Sequence, residues 1–131
     1  MREIKFRGKR LDNGEWLYGS LVILNGRYFI FDYANEVDPT TVGEFTGLKD
    51  KNGKEIYEGD VIRFSNPYLI ISQGKQSFGM VKYYDALAGF ALYNSSEDKF
   101  PMECDWLKID GSTKVFGNIH DNPKLQKGGE Q

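Results

Sequence analysis

Turn-forming residues recur along the whole chain and leave room only for short extended segments between them. Asn and Gly tolerate a positive φ at little cost, so Asn13-Gly14, Asn25-Gly26 and Asn52-Gly53 each predict a tight turn. Several segments between the turns alternate apolar and polar residues, which is the period of a half-buried strand. For a chain of 131 residues, this spacing predicts a mostly β protein with little helix, folded as a small sandwich or barrel.

The first part of the chain predicts an antiparallel meander of three strands. Residues 3–11 alternate strictly, and residues 27–33 are rich in aromatic residues. Residues 15–24 lie between them and are apolar on both faces from Leu21 onward, so we expect this second strand at the centre of its sheet. The meander and a polar connection form a predicted N-terminal lobe over residues 1–55.

The remainder, residues 56–131, predicts a second lobe that contains a small SH3-like barrel and ends in a short tail. Glu58-Gly59-Asp60-Val61-Ile62 places Gly-Asp before an alternating strand, a common beginning of such barrels. Gly53 and Gly59 are predicted in turns. The further strands are expected at residues 61–64, 68–72, 78–84, 89–93, 106–109 and 114–119.

Composition argues for a protein of the cytoplasm. The net charge of −2 gives no general attraction to nucleic acid or to an anionic membrane. The single cysteine, Cys104, excludes a disulfide within the chain and fits a reducing compartment. The longest aliphatic run, residues 21–24, is too short to cross a bilayer, so we expect no membrane association.

The dense stretch from residue 44 to 64 could be a metal loop, a catalytic loop or a set of turns. An EF-hand register beginning at Asp50 puts glycine at its fourth position instead of its sixth, so the calcium interpretation fails. No phosphate-binding loop is present either. Turn chemistry accounts for every glycine and amide. We therefore predict neither a metal nor a cofactor, and no catalytic residue. A Cys104–His120 nucleophile pair remains the alternative, as an accessory hydrolase.

The N-terminal strand presents a basic face that is one candidate for binding. Lys5, Arg7 and Lys9 are expected on the face opposite Ile4 and Phe6. These cations could neutralise phosphates and give weak, salt-sensitive binding to nucleic acid. The interpretation we favour is a charged strand face that discourages edge pairing.

Two other places are candidates for binding a protein. Tyr83 and Tyr93 belong to an aromatic hairpin, and we expect them to be exposed or packed between the lobes. Asp50, Lys51 and Lys54 surround the turn in the middle of the chain, which is either a recognition loop or a structural joint between the lobes. We favour the joint, because turn chemistry explains the sequence there.

Three blocks of sequence resemble the YopX family of phage and prophage proteins. They are residues 4–8 together with 13–19, residues 45–60, and residues 115–123. The resemblance covers nearly the whole chain. It implies a compact β protein with an SH3-type barrel, encoded on temperate phages of low-GC Gram-positive bacteria, and it implies no activity and no catalytic position.

Together these features predict a non-enzymatic accessory protein that works by binding protein. With 19 aromatic residues in the chain, some are expected at the surface as an interface. The partner is either a second copy of the chain or a protein of the host or phage. Weak binding to nucleic acid remains the alternative.

Overall fold

The computed structural model describes residues 3–65, 76–93, 107 and 111–126. Its strands are β1 (Phe6–Lys9), β2 (Trp16–Gly19), β3 (Leu21–Leu24), β4 (Arg27–Ile30), β5 (Glu36–Val37), β6 (Gly43–Lys49), β7 (Glu55–Tyr57), β8 (Asp60–Ser65), β9 (Gln76–Tyr84), β10 (Gly89–Tyr93) and β11 (Lys114–Asn118). Single turns of 3-10 helix lie at Pro39–Thr41, Asp85–Leu87 and Pro123–Gln126. The predicted mostly β class is therefore confirmed.

The chain divides into two compact units, Met1–Gly47 and Leu48–Gln131. Strand β6 begins in the first unit and ends in the second. The boundary predicted from the sequence lies further along the chain, between residues 55 and 56. Each unit has antiparallel pairing of its own.

The first unit contains two sets of antiparallel strands. In one, β1 lies between β2 and the beginning of β6, with Phe6 opposite both Gly19 and Glu44. The other is a three-stranded sheet in the order β3-β4-β5. The predicted strand over residues 15–24 is therefore two strands in different sheets. The expectation that it is central is wrong, because β3 lies at the edge of its sheet among the strands that the structure describes.

The change of sheet occurs at Gly19 and Ser20, where the ring of Phe31 lies close to the backbone. A Cβ atom added at Gly19 would come within 2.8 Å of Cζ of Phe31. The amide of Phe31 donates a hydrogen bond to the carbonyl oxygen of Ser20 at 3.0 Å, so β3 pairs with β4 from its first residue. Only glycine leaves room for the ring at this bend.

The second unit contains a four-stranded antiparallel sheet in the order β10-β9-β8-β11. The hairpin predicted at residues 78–84 and 89–93 is confirmed, with Tyr84 opposite Gly89. Both faces of the central strands are buried. One face contributes Val61, Met80, Tyr84, Ala91 and Tyr93, and the other contributes Ile62, Val81, Phe90 and Val115 with Ile56 of β7.

The predicted barrel needs correction, although the β class stands. Within the residues that the structure describes, β10 and β11 are the two edges of this sheet and do not pair with each other. A barrel closes only when its first and last strands pair, so the sheet is open there. The strand predicted at residues 68–72 lies outside the described residues, as does the one at 106–109 apart from Leu107.

The two glycines predicted in turns both have a positive φ, 81° at Gly53 and 94° at Gly59. Substitution by valine at either position should lower the free energy of unfolding by about 1–3 kcal/mol, because a β-branched residue is strained at such a φ. Space is not the cause at Gly53, since an added Cβ would meet no atom within 4 Å. Urea denaturation of both variants measures the loss.

Gly111→Val is the matched control for this prediction. Gly111 also lies in a turn and has open space where a Cβ atom would stand, and it lacks the positive φ of the other two. Its valine variant should stay within about 0.5 kcal/mol of the parent. Equal losses at all three glycines would mean that backbone strain is not the cause.

Candidate functional site

The centre of the turn-rich block is Asp50, which follows the last residue of β6 and is buried, with 7% of its surface exposed. Its Oδ1 accepts hydrogen bonds from the amides of Asn52 at 2.8 Å and Lys54 at 2.9 Å. Its Oδ2 accepts one from the amide of Val115 at 2.9 Å. One carboxylate therefore holds its own turn and the strand β11 together.

Backbone hydrogen bonds reinforce the same connection. The amide of Asp50 donates to the carbonyl oxygen of Lys54 at 2.8 Å, which closes the turn. The amide of Lys51 donates to the carbonyl oxygen of Thr113 at 3.0 Å. Because Thr113 and Val115 flank the first residue of β11, the turn is fixed to the beginning of that strand.

The environment of the Asp50 carboxyl group lowers its pKa. Burial acts in the opposite direction and by itself would raise the pKa, since it disfavours the charged form. The amides of Val115, Lys54 and Asn52 donate to the carboxylate and outweigh that effect, with a contribution from the charge of Lys54. The carboxylate is thus stabilised in its ionised form by the backbone that it organises.

A second buried acid repeats this arrangement at the next turn. Asp60 is 1% exposed, and its Oδ2 accepts a hydrogen bond from the amide of Tyr57 at 2.8 Å. The amide of Gly59 donates to the carbonyl oxygen of Val81 at 2.9 Å, and the carbonyl oxygen of Gly59 accepts from the amide of Ile119 at 3.0 Å. This turn is therefore bonded to β9 and to the residue after β11.

The hydrogen bonds of Asp50 and Asp60 hold the two turns to neighbouring strands within the second unit. Of the three residues predicted around the turn, Asp50 directs both carboxylate oxygens to backbone amides. Lys51 and Lys54 are exposed and could meet a partner. The prediction that this block sets the angle between the lobes stays a prediction.

The basic residues of β1, and Lys5 just before it, lie against aromatic rings. Arg7 is buried, with 5% of its surface exposed, and its guanidinium lies 4.7 Å from the centre of the Trp16 ring. The Lys9 ammonium lies 5.3 Å from the same ring. Lys5 lies 5.1 Å from the ring of Phe45 and pairs with Glu3 at 3.7 Å. The expected row of exposed cations is therefore partly covered by rings.

The two predicted aromatic contacts differ in their exposure. Tyr83 is exposed and packs edge-on against Phe90, with ring centres 5.5 Å apart. Tyr93 is buried among core residues of the second unit, so it is not exposed, and the alternative that it packs between the lobes stays a prediction. Burial, followed by the charge of Glu58, raises the pKa of the Tyr93 hydroxyl. Tyr93 faces inward because it pairs with Met80, which belongs to the same buried cluster.

Four exposed apolar residues of β3 and of the segment after β4 were missed from the sequence. Phe31 and Tyr33 expose 66% and 64% of their surface, and Ile23 and Leu24 expose 54% and 49%. All four belong to β3 or to the segment after β4. For Ile23 and Leu24 the signal available was the uninterrupted apolar run of β3, because such a run puts apolar side chains on both faces of the strand.

The other groups considered for chemistry show no assembled site in the part of the chain described. There, no three His, Cys, Asp or Glu side chains are grouped to hold a metal ion. His120 is half-buried, and its amide donates to Oδ1 of Asn118 at 3.0 Å within a turn. Cys104 lies outside the described residues.

The fold and these turns define a class of small, mostly β proteins in which buried acids organise the connections. The chain belongs to the YopX family, whose model, described as YopX protein, matches residues 5–127. The resemblance predicted from the three blocks of sequence is confirmed.

A solved structure shares the fold. The crystal structure of protein EF1440 from Enterococcus faecalis is 24% identical in sequence and has a TM-score of 0.54 to this chain. The similarity covers 96% of this chain and 99% of the other. Among curated protein sequences, none is significantly similar to this one. None of the helices described in the chain is long and apolar enough to span a bilayer.

Asp50→Asn should destabilise the protein by about 2–3 kcal/mol at neutral pH, because hydrogen bonds to a charged acceptor are lost and an amide donor is placed among backbone donors. The loss should shrink in acid. The ordinary pKa of the group is 3.8 and the folded value is lower, so the ionised carboxylate stabilises fully above 3.8 and ceases to do so as the pH falls through the folded pKa. Urea denaturation of both proteins across this pH range measures the difference.

Asp12→Asn is the control for this substitution. Asp12 is exposed and pairs with Arg10 at 2.9 Å, and an ion pair at the surface adds little to stability because solvent screens it. If Asp50→Asn costs no more than this control, or if its cost does not change with pH, the structural role assigned to the carboxylate is contradicted.

Proposed function

We propose that this protein is a non-enzymatic accessory protein, encoded by a phage or prophage, that acts in the cytoplasm of the bacterial host by binding protein through the apolar surface of its first unit. The observation that carries the proposal is the conformation and exposure of Phe31. This residue combines a strained backbone with an exposed aromatic ring, a combination that folding alone does not favour.

The backbone of Phe31 has a φ of 71°, in the left-handed region. This conformation costs a residue with a β-carbon about 1–2 kcal/mol, and glycine or asparagine adopts it more cheaply. The ring lies against Gly19, yet 66% of the residue is exposed, so burial offsets little of the cost. Exposed strain of this kind is typical of positions kept for binding.

Neighbouring residues extend this surface. Tyr33 packs edge-on against Phe29 at 5.2 Å between ring centres and leaves most of its own ring exposed. An ion pair between Arg27 and Glu36, at 2.6 Å, lies on the same sheet. Aromatic residues bordered by polar groups are the composition of protein interfaces, because large rings bury much area with few rotatable bonds.

The second unit has exposed residues that we propose as a separate contact surface of its own. Lys51 and Lys54 are exposed on the middle turn, and Tyr83 is exposed on β9. Nucleic acid is the less favoured ligand, because Arg7 is buried against Trp16 and the cations beside it also lie near rings. Charge held in this way is less available to phosphates.

Phe31→Asn should weaken binding while the fold stays intact. Asparagine tolerates the left-handed φ, so the free energy of unfolding should stay within about 1 kcal/mol of the parent despite the lost ring. Binding should weaken by at least about tenfold, as expected for an aromatic anchor. Light scattering reports self-association, and affinity capture from lysate of the host with mass spectrometry reports other partners.

Leu11→Asn is the matched control, because Leu11 is 57% exposed in the same unit and its amide bonds to β5, at the side of the sheet away from β3. It should bind as the parent does. Equal binding by Phe31→Asn and the parent would contradict the proposed surface. A parent protein that neither self-associates nor captures a protein would contradict the proposed function.

A further inference from the structure

We infer that the partner bound at the first unit is a second copy of this chain, which pairs its strand β3 antiparallel with the strand β3 of the first copy. This inference rests on the proposed function and names its partner. The strand has the sequence Leu21-Val22-Ile23-Leu24 and lies at the edge of its three-stranded sheet. It contains none of the charged residues or prolines by which proteins protect an edge strand from pairing.

The hydrogen bonding of β3 determines which of its backbone groups face outward. Phe31 donates its amide to the carbonyl oxygen of Ser20, and Val22 and Leu24 lie opposite Phe29 and Arg27. Every second residue of an antiparallel strand bonds to the same neighbouring strand, so Val22 and Leu24 bond to β4 as Ser20 bonds to Phe31. The amide and carbonyl groups of the residues between them, Leu21 and Ile23, therefore point away from β4 toward the outer edge.

A twofold axis through Val22 satisfies these outward groups in one step. It places Leu21 of one copy opposite Ile23 of the other, and both residues present their amide and carbonyl groups at the edge. The two symmetric pairs then exchange hydrogen bonds as an ordinary antiparallel ladder does. Paired residues of an antiparallel ladder point to the same face of the sheet. The buried face of one copy's sheet therefore continues into the buried face of the other, and the exposed face into the exposed face.

The same register explains the exposed residues beside the strand. Leu24 of one copy comes opposite Ser20 of the other, and the carbonyl oxygen of Ser20 accepts a hydrogen bond from the amide of Phe31, the residue after β4. A small residue there leaves space for Leu24 and Phe31 of different copies to approach each other across it. Two residues that are exposed in the single chain, at 49% and 66%, thus gain apolar surroundings.

Charge favours a second copy over a charged partner. The four residues of β3 are uncharged, and Arg27 beside them already pairs with Glu36. A net charge of −2 on each copy gives little repulsion between copies. An edge of four residues is short, so the interface falls below the roughly 1,200 Å² of a standard specific complex, and the dimer should be reversible and depend on concentration.

Sedimentation velocity across a concentration series tests the inference. The parent should pass from monomer to dimer, and Ile23→Lys should dimerise at least about tenfold more weakly, because it puts a charge on the paired edge. Ile23 is 54% exposed, so lysine is accommodated in the folded monomer. Leu11→Lys, at the other side of the sheet, should dimerise as the parent does. A monomer at all concentrations, or a dimer unaffected by Ile23→Lys, overturns the inference.

Cross-linking tests the register itself. In a chain that also carries Cys104→Ser, Val22→Cys should oxidise to a covalent dimer, because its two copies meet at the twofold axis as a pair without hydrogen bonds, about 4.5 Å apart at Cα. Leu24→Cys lies opposite Ser20 and should not. Cross-linking by Leu24→Cys but not by Val22→Cys overturns the register.

The outcomes also separate this inference from the proposed function. If the parent stays monomeric but captures another protein, and Phe31→Asn loses that capture, the second copy is the wrong partner and the proposed function stands. If capture is also unaffected by Phe31→Asn, both the inference and the proposed surface are overturned.

Discussion

The second unit depends on the carboxylate of Asp50, which accepts hydrogen bonds from backbone amides of two segments that are distant in sequence: its own turn and the strand β11. Its oxygens accept from the amides of Asn52, Lys54 and Val115. A buried carboxylate is costly unless it is bonded, and here the donors are supplied by the turn and strand that it connects. Asp60 does the same on a smaller scale with Tyr57. The sequence between the two acids is therefore dense in residues that make or close a turn.

The first unit is organised differently, around a bend rather than a buried charge. At Gly19 the chain leaves one sheet and enters another, and the ring of Phe31 occupies the space that a side chain would take. In this arrangement β3 lies at an edge of the described sheet, with Ile23 and Leu24 exposed. The second unit has both faces of its central strands covered. Of the large apolar residues that are exposed in the described part of the chain, all but Tyr83 and Phe116 therefore lie in the first unit.

Turns that form within a few residues could be predicted from the sequence, whereas burial and position in a sheet, which depend on distant residues, could not. The positive φ at Gly53 and Gly59 follows from turn chemistry that acts within a few residues. The burial of Arg7 depends on Trp16 of the next strand, and the edge position of β3 depends on a bend at Gly19. The alternation of apolar and polar residues along β1 puts Arg7 on the polar face of the strand. It does not show that the ring of Trp16 on the next strand covers that side chain. The open sheet escaped prediction for the same reason, since closure depends on strands distant in sequence.

Amide hydrogen exchange measured by NMR tests the central role of Asp50 most directly. The amide of Val115 bonds to this carboxylate, so its proton should exchange as slowly as those of the β8–β9 ladder, and Asp50→Asn should accelerate it more than theirs. A Val115 proton that exchanges freely in the parent protein, while the β8–β9 ladder stays protected, would contradict this role.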